Sequence, residues 1–542
     1  MHGLMMDYPL TIGAILRRAE TVFPHKTIVT RRPDRSLHRS AYADLGRRAR
    51  QLAAALARLG VAPGDRVATL AWNHQQHLEA YFGVPILGAV LHTLNLRLHP
   101  DELSFIVNHA EDKVLLVDAT LLPVFEKIRD RVKPKHVVVI GANGAPPDGM
   151  LDYESLVGAE DARGFALPDL DERTAAAMCY TTGTTGRPKG VLYSHRALVL
   201  HSLVSLAVDT IGISETDVVL PVVPMFHANA WGAPYTGALA GATQVLPGPH
   251  LDPASLLDLF QGERITIALG VPTVWLAVLQ ALDKNPGAYD LSNLRALLVG
   301  GSAAPAAMIQ AFQERHNLRI LHAWGMTETT PLGTVSQVPS ELVNAPRAEQ
   351  YAVRAKQGRP APFVEIRARG AEGLVSWTGK SMGELEVRGP WIAASYFNNE
   401  EARQAFTDDG WFRTGDIVTI DPHGYIEIQD RAKDLIKSGG EWISSVALEN
   451  ALMGHPAVAE AAVIAVPHPK WVERPLAAVV VKEGAKVTAN ELREYLAERF
   501  ARWCVPDAIE FVTEIPRTAA GKFLKSALRA RFKDYQFPDS TA

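Results

Sequence analysis

Residues 174–190 read TAAAMCYTTGTTGRPKG, so an apolar stretch typical of a buried strand runs directly into a loop of threonine and glycine. Glycines let the backbone approach an anion closely, and threonine hydroxyls, backbone amides and a lysine can donate to phosphate oxygens. The P-loop of NTPases has glycine before its lysine and serine or threonine after it, but Pro188 and Gly190 stand there instead. The stretch therefore predicts a phosphate loop of another kind, formed by Thr181, Thr182, Gly183, Thr184, Thr185, Gly186 and Lys189.

The sequence around this loop alternates helix and strand patterns, which favours an α/β fold with parallel strands. Residues 41–59 have apolar positions at helical spacing, residues 65–71 form a short apolar run, and residues 77–90 are helical in pattern again. Two later strand patterns, at residues 294–299 and 318–323, run into GGSAAP and WGMTE. Ligands of open α/β sheets lie outside the carboxyl ends of the strands, so we expect these turns and the phosphate loop to share one cleft.

Composition and charge exclude several classes of protein. The chain has 542 residues, 47% of them apolar, which excludes disorder as its main state. Its net charge of −4 lacks the basic excess that nucleic-acid binding requires. Cys179 and Cys504 cannot form a disulfide framework in a chain of this length, which favours the reducing cytosol. The N-terminal residues lack the order of a signal peptide, and the longest apolar stretch, residues 81–91, is too short to span a bilayer. A cytoplasmic protein without a transmembrane segment is therefore expected.

The pattern changes after residue 430, where we place a domain boundary. Residues 458–466 and 476–481 are strand-like, and Thr488 with Glu491 three residues later is typical of a capping box at a helix start. The sequence therefore predicts an N-terminal domain of residues 1–430 and a small α+β C-terminal domain of residues 431–542.

Five motifs resemble those of the adenylate-forming superfamily, which includes acyl-CoA synthetases, amino-acid adenylating domains and firefly luciferase. They are the phosphate loop, WGMTE at residues 324–328, WFRTGD at 411–416, DRAKD at 430–434 and PRTAAGK at 516–522. The resemblance implies an α/β fold with a large N-terminal domain of stacked sheets and helices and a small, mobile C-terminal domain. It also implies a reaction in two halves. A carboxylate attacks the α-phosphate of ATP to give an acyl-adenylate and pyrophosphate, and a thiol, here that of coenzyme A, then displaces AMP.

The resemblance assigns nucleotide and metal contacts residue by residue. It implies that Thr181 and Glu328 hold Mg²⁺, an ion that prefers oxygen ligands and phosphates, and that Asp416 binds the ribose hydroxyls. Trp324 stands where the family usually has a tyrosine stacked on adenine; the indole keeps the π-face but loses the phenol hydroxyl. The remaining implied adenosine and phosphate contacts are Gly301, His322, Ala323, Thr327, Arg431 and Lys437.

Residues of the C-terminal part are implied to act in turn during the two half-reactions. Lys433 is the implied hinge about which the small domain rotates, and the GGEW turn that ends in Trp442 is implied to lie near the thiol channel. In PRTAAGK, the glycine permits a tight turn that projects Lys522 towards the reacting carboxylate and α-phosphate. A cation at that place stabilises the charge of the transition state.

Residues 224–231 (PMFHANAW) resemble the segment that lines the acyl tunnel of bacterial fatty acyl-CoA synthetases. The resemblance implies that Trp231 gates the tunnel, that Ala228 borders the acyl chain and that His227 lies near the carboxylate and the α-phosphate. The same stretches also resemble 3-methylmercaptopropionate-CoA ligases of marine bacteria. We expect a medium- to long-chain fatty acid as the substrate, and 3-methylmercaptopropionate is the alternative.

Other functions fit the residues less well. Cys179 ends an apolar strand pattern, which is typical of a core cysteine rather than a nucleophile, and His455 and His468 lack metal-ligand spacing. A non-catalytic nucleotide-binding protein on this fold is expected to have lost Glu328 or Lys522, and both are present. A peptide-synthetase adenylation domain is not expected, because no carrier domain follows. The resemblance further implies a homodimer.

Overall fold

The computed structural model describes residues 1, 3–181, 187–438, 441–517 and 523–537, with Glu441 described by its backbone alone. The strands, in chain order, are β1 (Thr27–Arg31), β2 (Leu37–Ala41), β3 (Arg66–Leu70), β4 (Val90–Thr93), β5 (Asp112–Asp118), β6 (His136–Ile140), β7 (Leu151–Asp152), β8 (Ala175–Tyr180), β9 (Gly190–Ser194), β10 (Val218–Pro221), β11 (Thr243–Leu246), β12 (Ile267–Gly270), β13 (Ala296–Val299), β14 (Ile320–Gly325), β15 (Leu332–Ser336), β16 (Arg359–Pro360), β17 (Glu365–Gly370), β18 (Gly373–Leu374), β19 (Gly383–Arg388), β20 (Phe412–Ile420), β21 (Ile426–Arg431), β22 (Ile436–Ser438), β23 (Glu441–Ile443), β24 (Val458–His468), β25 (Val472–Val481) and β26 (Ala508–Phe511). The α-helices are α1 (Ile12–Val22), α2 (Tyr42–Arg58), α3 (Gln75–Ile86), α4 (Pro100–Ala110), α5 (Leu122–Glu126), α6 (Tyr153–Gly158), α7 (His195–Ser205), α8 (Ala233–Ala240), α9 (Pro253–Gly262), α10 (Pro272–Lys284), α11 (Ala306–His316), α12 (Arg347–Ala355), α13 (Ser445–Met453), α14 (Ala489–Ala497) and α15 (Lys525–Arg531).

The first sheet carries the phosphate loop and has the strand order β7-β6-β5-β3-β4-β8-β9. Its strands are parallel up to β8, and β9 returns antiparallel to β8, so the phosphate loop connects the two strands of a hairpin. The expected helix at residues 41–59 and the expected strands at 65–71 and 174–180 are confirmed as α2, β3 and β8. The helix expected at residues 77–90 is wrong at its end. It stops at Ile86 because Gly88 adopts a left-handed φ of 85° and Val90 begins β4 alongside β3.

The second sheet has the order β16-β15-β14-β13-β12-β10-β11-β1-β2, and the third is antiparallel with the order β18-β17-β19-β20-β21. The strand patterns at residues 294–299 and 318–323 are confirmed as β13 and β14. One apolar core joins the three sheets, with Leu91 in the first, Leu298 in the second and Leu385 in the third, together with α1, α2, α3, α7 and α8. This shared core fixes the ends of β8, β13, β14 and β20 relative to one another.

The fourth sheet has the order β23-β22-β25-β24, and β26 joins it alongside β25. It packs α13 and α14 on one face and α15 on the other, and the two apolar clusters that result consist of residues 436–537. The predicted strands become β24 and β25, and the capping box of Thr488 and Glu491 at the start of α14 is confirmed. Among the described helices, none combines the length and apolar character needed to cross a membrane.

Candidate active-site cleft

A cleft of about 720 Å³ is lined mainly by residues from the first three sheets, together with residues 431–434 and Phe523 of the C-terminal part. The structure brings the turns after β8, β13 and β14 together here, as the strand patterns predict. The residues predicted from sequence that line the cleft are Thr181, Lys189, His227, Ala228, Trp231, Gly301, Ala323, Trp324, Thr327, Glu328, Arg431 and Lys433.

The base of the phosphate loop is closed by two hydrogen bonds between its ends. The amide of Thr181 donates to the carbonyl of Lys189 at 2.9 Å, and the amide of Lys189 donates to Thr181 Oγ1 at 3.3 Å. The Lys189 ammonium lies 4.9 Å from the centre of the Tyr396 ring, a cation–π arrangement. The loop residues Thr182, Gly183, Thr184, Thr185 and Gly186 lie outside the described residues.

Glu328 is a buried carboxylate in the cleft wall. Its Oε1 accepts a hydrogen bond of 2.6 Å from the Tyr396 hydroxyl, and the neighbouring Thr327 carbonyl accepts one of 2.7 Å from Tyr193. Burial, reinforced by the charge of Glu328, raises the pKa of Tyr396 far above its usual value, so the phenol keeps its proton. The second carboxylate oxygen of Glu328 and the Thr181 hydroxyl are hard oxygen donors of the kind that Mg²⁺ prefers. The donor chemistry on this side of the cleft therefore fits that ion.

Trp324 and Asp416 are directly hydrogen-bonded to each other. Trp324 Nε1 donates to Asp416 Oδ2 at 2.9 Å, and Arg431 Nε lies 2.8 Å from Asp416 Oδ1. Arg431 also donates from Nη1 to the Thr414 carbonyl at 3.0 Å. Both oxygens of the carboxylate are therefore held in place, and each keeps a further lone pair for another donor such as a ribose hydroxyl.

Trp231 lies in a strained turn of the backbone. Ala228 to Trp231 all have left-handed φ angles, between 41° and 56°, and such a residue costs about 1–2 kcal/mol unless it is glycine. A Cβ built at Gly300 would lie 3.1 Å from the Trp231 ring, so the indole covers the turn after β13. The turn is tied to β8, because Cys179 Sγ donates to Asn229 Oδ1 at 3.2 Å. Backbone strain of this size persists mostly at functional sites.

His227 lies in the cleft and Cys179 in the apolar core, the two environments that the sequence predicts for them. His227 lines the cleft next to Ala228. Cys179 is buried, and burial raises the pKa of its thiol, which is the opposite of what a nucleophilic cysteine needs. The prediction of a core cysteine is confirmed.

Other predicted residues lie away from the cleft lining or outside the described chain. The buried His322 ring contacts the Ala304 amide at 3.3 Å and the Ala355 carbonyl at 3.2 Å. Lys437 and Trp442 face each other across the β22–β23 hairpin, with the ammonium 5.5 Å from the indole ring. Lys522 is outside the described residues, but the next residue, Phe523, lines the cleft.

The structure adds two cleft residues that sequence reasoning missed. Tyr396 connects Lys189 to Glu328, since its ring faces the ammonium and its hydroxyl donates to the carboxylate. His201 lines the cleft beside Gly232, and burial lowers its pKa to about 4, so its imidazole is neutral at pH 7. Neither residue belongs to a motif with a recognisable spacing, and their positions follow from contacts between segments far apart in sequence.

Family models match both parts of the chain. Residues 16–397 match the AMP-binding enzyme family, and residues 447–522 match the AMP-binding enzyme C-terminal domain. The chain therefore belongs to the AMP-binding enzymes, and the resemblance to the adenylate-forming superfamily is confirmed.

Similar proteins align over nearly the whole chain. A long-chain-fatty-acid–CoA ligase of Thermus thermophilus is 55% identical, over 98% of this chain and 97% of that protein. A 3-methylmercaptopropionyl-CoA ligase of Ruegeria pomeroyi is 46% identical, over 98% of this chain and 99% of that protein. A medium-chain-fatty-acid–CoA ligase of Ectopseudomonas oleovorans is 44% identical, over 100% of both.

A solved structure shares the fold of the whole chain. The crystal structure of an anthranilate CoA ligase in complex with anthranoyl-AMP has a TM-score of 0.87 and 29% identity, over 97% of this chain and 98% of that chain. The expected α/β fold, with a large N-terminal and a smaller C-terminal domain, is confirmed.

Proposed function

We propose that this protein is an AMP-forming acid–CoA ligase, which joins a carboxylic acid to coenzyme A through an acyl-adenylate made from ATP. The observation that carries the proposal is that one cleft is lined by the base of the phosphate loop, by Trp324, which is hydrogen-bonded to the buried Asp416, and by the Trp231 turn. An adenosine against Trp324, an α-phosphate beside the loop and a carboxylate near His227 then lie side by side. Holding two reactants next to each other in the correct orientation supplies a large part of the rate enhancement of a reaction that joins them.

Residues of the cleft wall would hold the nucleotide during the first half-reaction, in which a carboxylate oxygen attacks the α-phosphate and pyrophosphate leaves. Asp416 accepts the ribose hydroxyls, Lys189 donates to phosphate oxygens, and Thr181 and Glu328 hold Mg²⁺. The ion, when bound, offsets the negative charge on the leaving pyrophosphate. Lys522 is proposed to donate to the developing charge between carboxylate and phosphate.

The proposed acid is a medium- to long-chain fatty acid. The cleft lining includes the apolar side chains of Ile211, Ala228 and Trp231, which suit an alkyl chain. Two of the similar proteins are named for fatty acids. The second candidate is 3-methylmercaptopropionate. One argument for it is that the Trp231 ring covers the turn at Gly300, which would limit the acyl site to a short acid. The other is the relative named for that acid.

We also propose that the small domain begins at residue 431 and rotates about Lys433 between the half-reactions. The separate apolar clusters of residues 436–537 support this boundary, and Lys433 lies between β21 and β22. Rotation would bring the hairpin of Lys437 and Trp442 to the cleft, where the coenzyme A thiol displaces AMP. We also propose a homodimer, which the resemblance supports. A cytoplasmic location is proposed because Cys179 and Cys504 are free thiols.

The function can be tested with purified protein, ATP, Mg²⁺, coenzyme A and a series of acids from butyrate to stearate, with 3-methylmercaptopropionate included. We expect one AMP and one pyrophosphate per thioester, and the highest kcat/KM for a medium- or long-chain acid. A maximum at 3-methylmercaptopropionate would select the second candidate. Nucleotide binding without AMP formation for any acid would instead indicate a non-catalytic nucleotide-binding protein.

A further inference from the structure

We infer that Asp430 is a positioning residue: together with Ser445, Glu449 and Lys525 it forms a buried polar latch across the hinge that holds the small domain in the adenylating orientation. The inference rests on the proposed two-step function. In the present orientation Phe523, the residue after Lys522, lines the cleft. The latch selects this orientation over the one that serves the second half-reaction.

Direct contacts connect the four residues of the latch. Asp430 Oδ2 accepts hydrogen bonds from the Ser445 amide at 2.8 Å and from the Ser445 hydroxyl at 2.5 Å. The Ser445 hydroxyl in turn accepts from the Lys525 ammonium, which also pairs with Glu449 Oε1 at 2.7 Å. The contacts therefore run without a break from Asp430 to α15, which begins three residues after Lys522.

The latch crosses the proposed hinge. Asp430 lies in β21, where it pairs with Ile417 of β20 and so belongs to the third sheet. Ser445 and Glu449 lie in α13, and Lys525 lies in α15, both packed on the fourth sheet. Lys433 stands between these two sets of residues. Rotation about Lys433 moves α13 and α15 while Asp430 stays with the third sheet, so it must break the contact between Asp430 and Ser445.

Charge and burial make this contact costly to lose. Asp430 accepts from the first amide of α13, a helix of nine residues, where a negative charge is favoured. Burial raises the pKa of Asp430, against the charge of Lys525. Burial alone would lower the pKa of Lys525, but Glu449 and Asp430 outweigh it and raise that pKa. If rotation separates these buried partners, the Asp430 carboxylate loses the groups that compensate its charge. The latched orientation is therefore lower in free energy than the rotated one.

The position of Asp430 allows the latch to be removed without damaging the small domain. Lys525 keeps Glu449 as its partner when Asp430 is changed, so the charges within the small domain stay paired. Replacing Lys525 itself would leave two buried carboxylates unpaired and endanger folding. Asp430→Asn is therefore the primary variant, and Ser445→Ala, which removes the bridging hydroxyl, is the second.

The matched control is Asp507→Asn. Asp507 pairs with Arg474 at 2.6 Å within the small domain, so its loss removes a partly buried ion pair that does not cross the hinge. Both half-reactions are measured: acyl-adenylate formation by pyrophosphate release, and thioester formation from supplied acyl-adenylate and coenzyme A. For Asp430→Asn we expect adenylation to fall roughly 10- to 100-fold while thioester formation is unchanged or faster. Ser445→Ala should show the same split to a smaller degree, and Asp507→Asn should show no split.

A structural readout separates failure of the latch from failure of the proposed function. Dyes are attached at Arg163→Cys in the large domain and Glu498→Cys in the small domain, both exposed, in a Cys504→Ser background. We expect Asp430→Asn to change the energy transfer between the dyes, whether or not the wild-type protein adenylates any acid. Equal losses in both half-reactions, or unchanged energy transfer in Asp430→Asn, would overturn the latch.

Discussion

The two sides of the cleft differ in how their functional residues are held. On the large-domain side, Trp324 donates a hydrogen bond of 2.9 Å to Asp416, and the Tyr396 hydroxyl holds Glu328 at 2.6 Å. On the small-domain side, Trp442 is 45% exposed and packs with Lys437 on a hairpin apart from the cleft lining. This difference is consistent with the proposal that the nucleotide side of the cleft is preformed and that the small domain supplies its residues by movement. Substitutions on the two sides should therefore differ in which half-reaction they impair.

The largest effect is expected from Lys522→Ala. Losing one cation that stabilises the adenylation transition state costs about 10²–10³ in rate. Conversion of supplied acyl-adenylate and coenzyme A to thioester should be retained, because that step is proposed to use the other orientation of the small domain. Pyrophosphate release and thiol consumption measure the two steps separately. Lys533→Ala, an exposed lysine of the same terminal segment, is the control. Equal losses in both steps would mean that Lys522 supports folding or docking.

Glu328→Ala tests the preformed side. Loss of a hard oxygen ligand at the phosphates should reduce adenylation about 10²-fold and shift the Mg²⁺ titration to higher concentration. Glu384→Ala is the control, because Glu384 also lines the cleft but is assigned no contact with the phosphates. A normal rate with an unchanged Mg²⁺ titration in Glu328→Ala would show that the metal assignment is wrong.

Trp231→Ala should alter acid preference more than ATP affinity. The indole offers apolar contact to an acyl chain, and its loss costs about 2–4 kcal/mol for an acid that packs against it. The measurement is kcat/KM across the acid series, together with KM for ATP. An unchanged acid profile with a raised KM for ATP would contradict the gate assignment.

Trp324→Phe keeps an aromatic face for adenine but removes the hydrogen bond to Asp416. Since Asp416 then loses a donor that fixes its carboxylate, preference for ATP over 2′-deoxyATP should fall about five- to tenfold in kcat/KM. Trp411→Phe is the control, because its indole lies between Arg367 and Arg388. An undiminished preference in Trp324→Phe would show that Asp416 is positioned without the indole.

The smallest expected effect is a change in how the unfolding free energy of the large domain depends on pH. Burial lowers the pKa of His322 to about 4 in the folded protein, whereas an unfolded histidine titrates near 6.5. The unfolded chain alone binds this proton between those values, so stability falls as the pH drops from about 6.5 to 4. In His322→Gln the fall in unfolding free energy should be shallower by about 1 kcal/mol per pH unit. Denaturant titrations at several pH values measure this slope, and an identical slope in both proteins would contradict a neutral His322.

Local patterns predict much of the fold and of the cleft. The helix α2, the strand β8 and the capping box of α14 each depend on spacing within a few residues, and each is found where the pattern predicts it. The turns after β13 and β14 meet because both follow neighbouring strands of one sheet. These are properties that a sequence expresses locally, whereas the turn after β8 belongs to another sheet and is brought beside them by the shared core.

Contacts between distant segments could not be predicted in this way. The partner of Glu328 is 68 residues away at Tyr396, and the partner of Trp324 is 92 residues away at Asp416. Ser445 and Lys525 are in contact although they are 80 residues apart in the sequence, and no motif predicts this contact. The strand that contains His322 is predicted by its pattern, but the partners of the His322 side chain are not, because they come from a loop and a helix elsewhere in the chain. Which side chains meet is decided by packing among sheets rather than by spacing within one element.

Exchange of labelled pyrophosphate into ATP shows whether an acyl-adenylate forms before coenzyme A takes part. The wild-type protein is given ATP, Mg²⁺, labelled pyrophosphate and the acid with the highest kcat/KM, with coenzyme A omitted. We predict label in ATP that depends on the acid and is strongly reduced in Lys522→Ala. Exchange that requires coenzyme A, or ADP as the nucleotide product, would contradict an acyl-adenylate that forms before coenzyme A takes part.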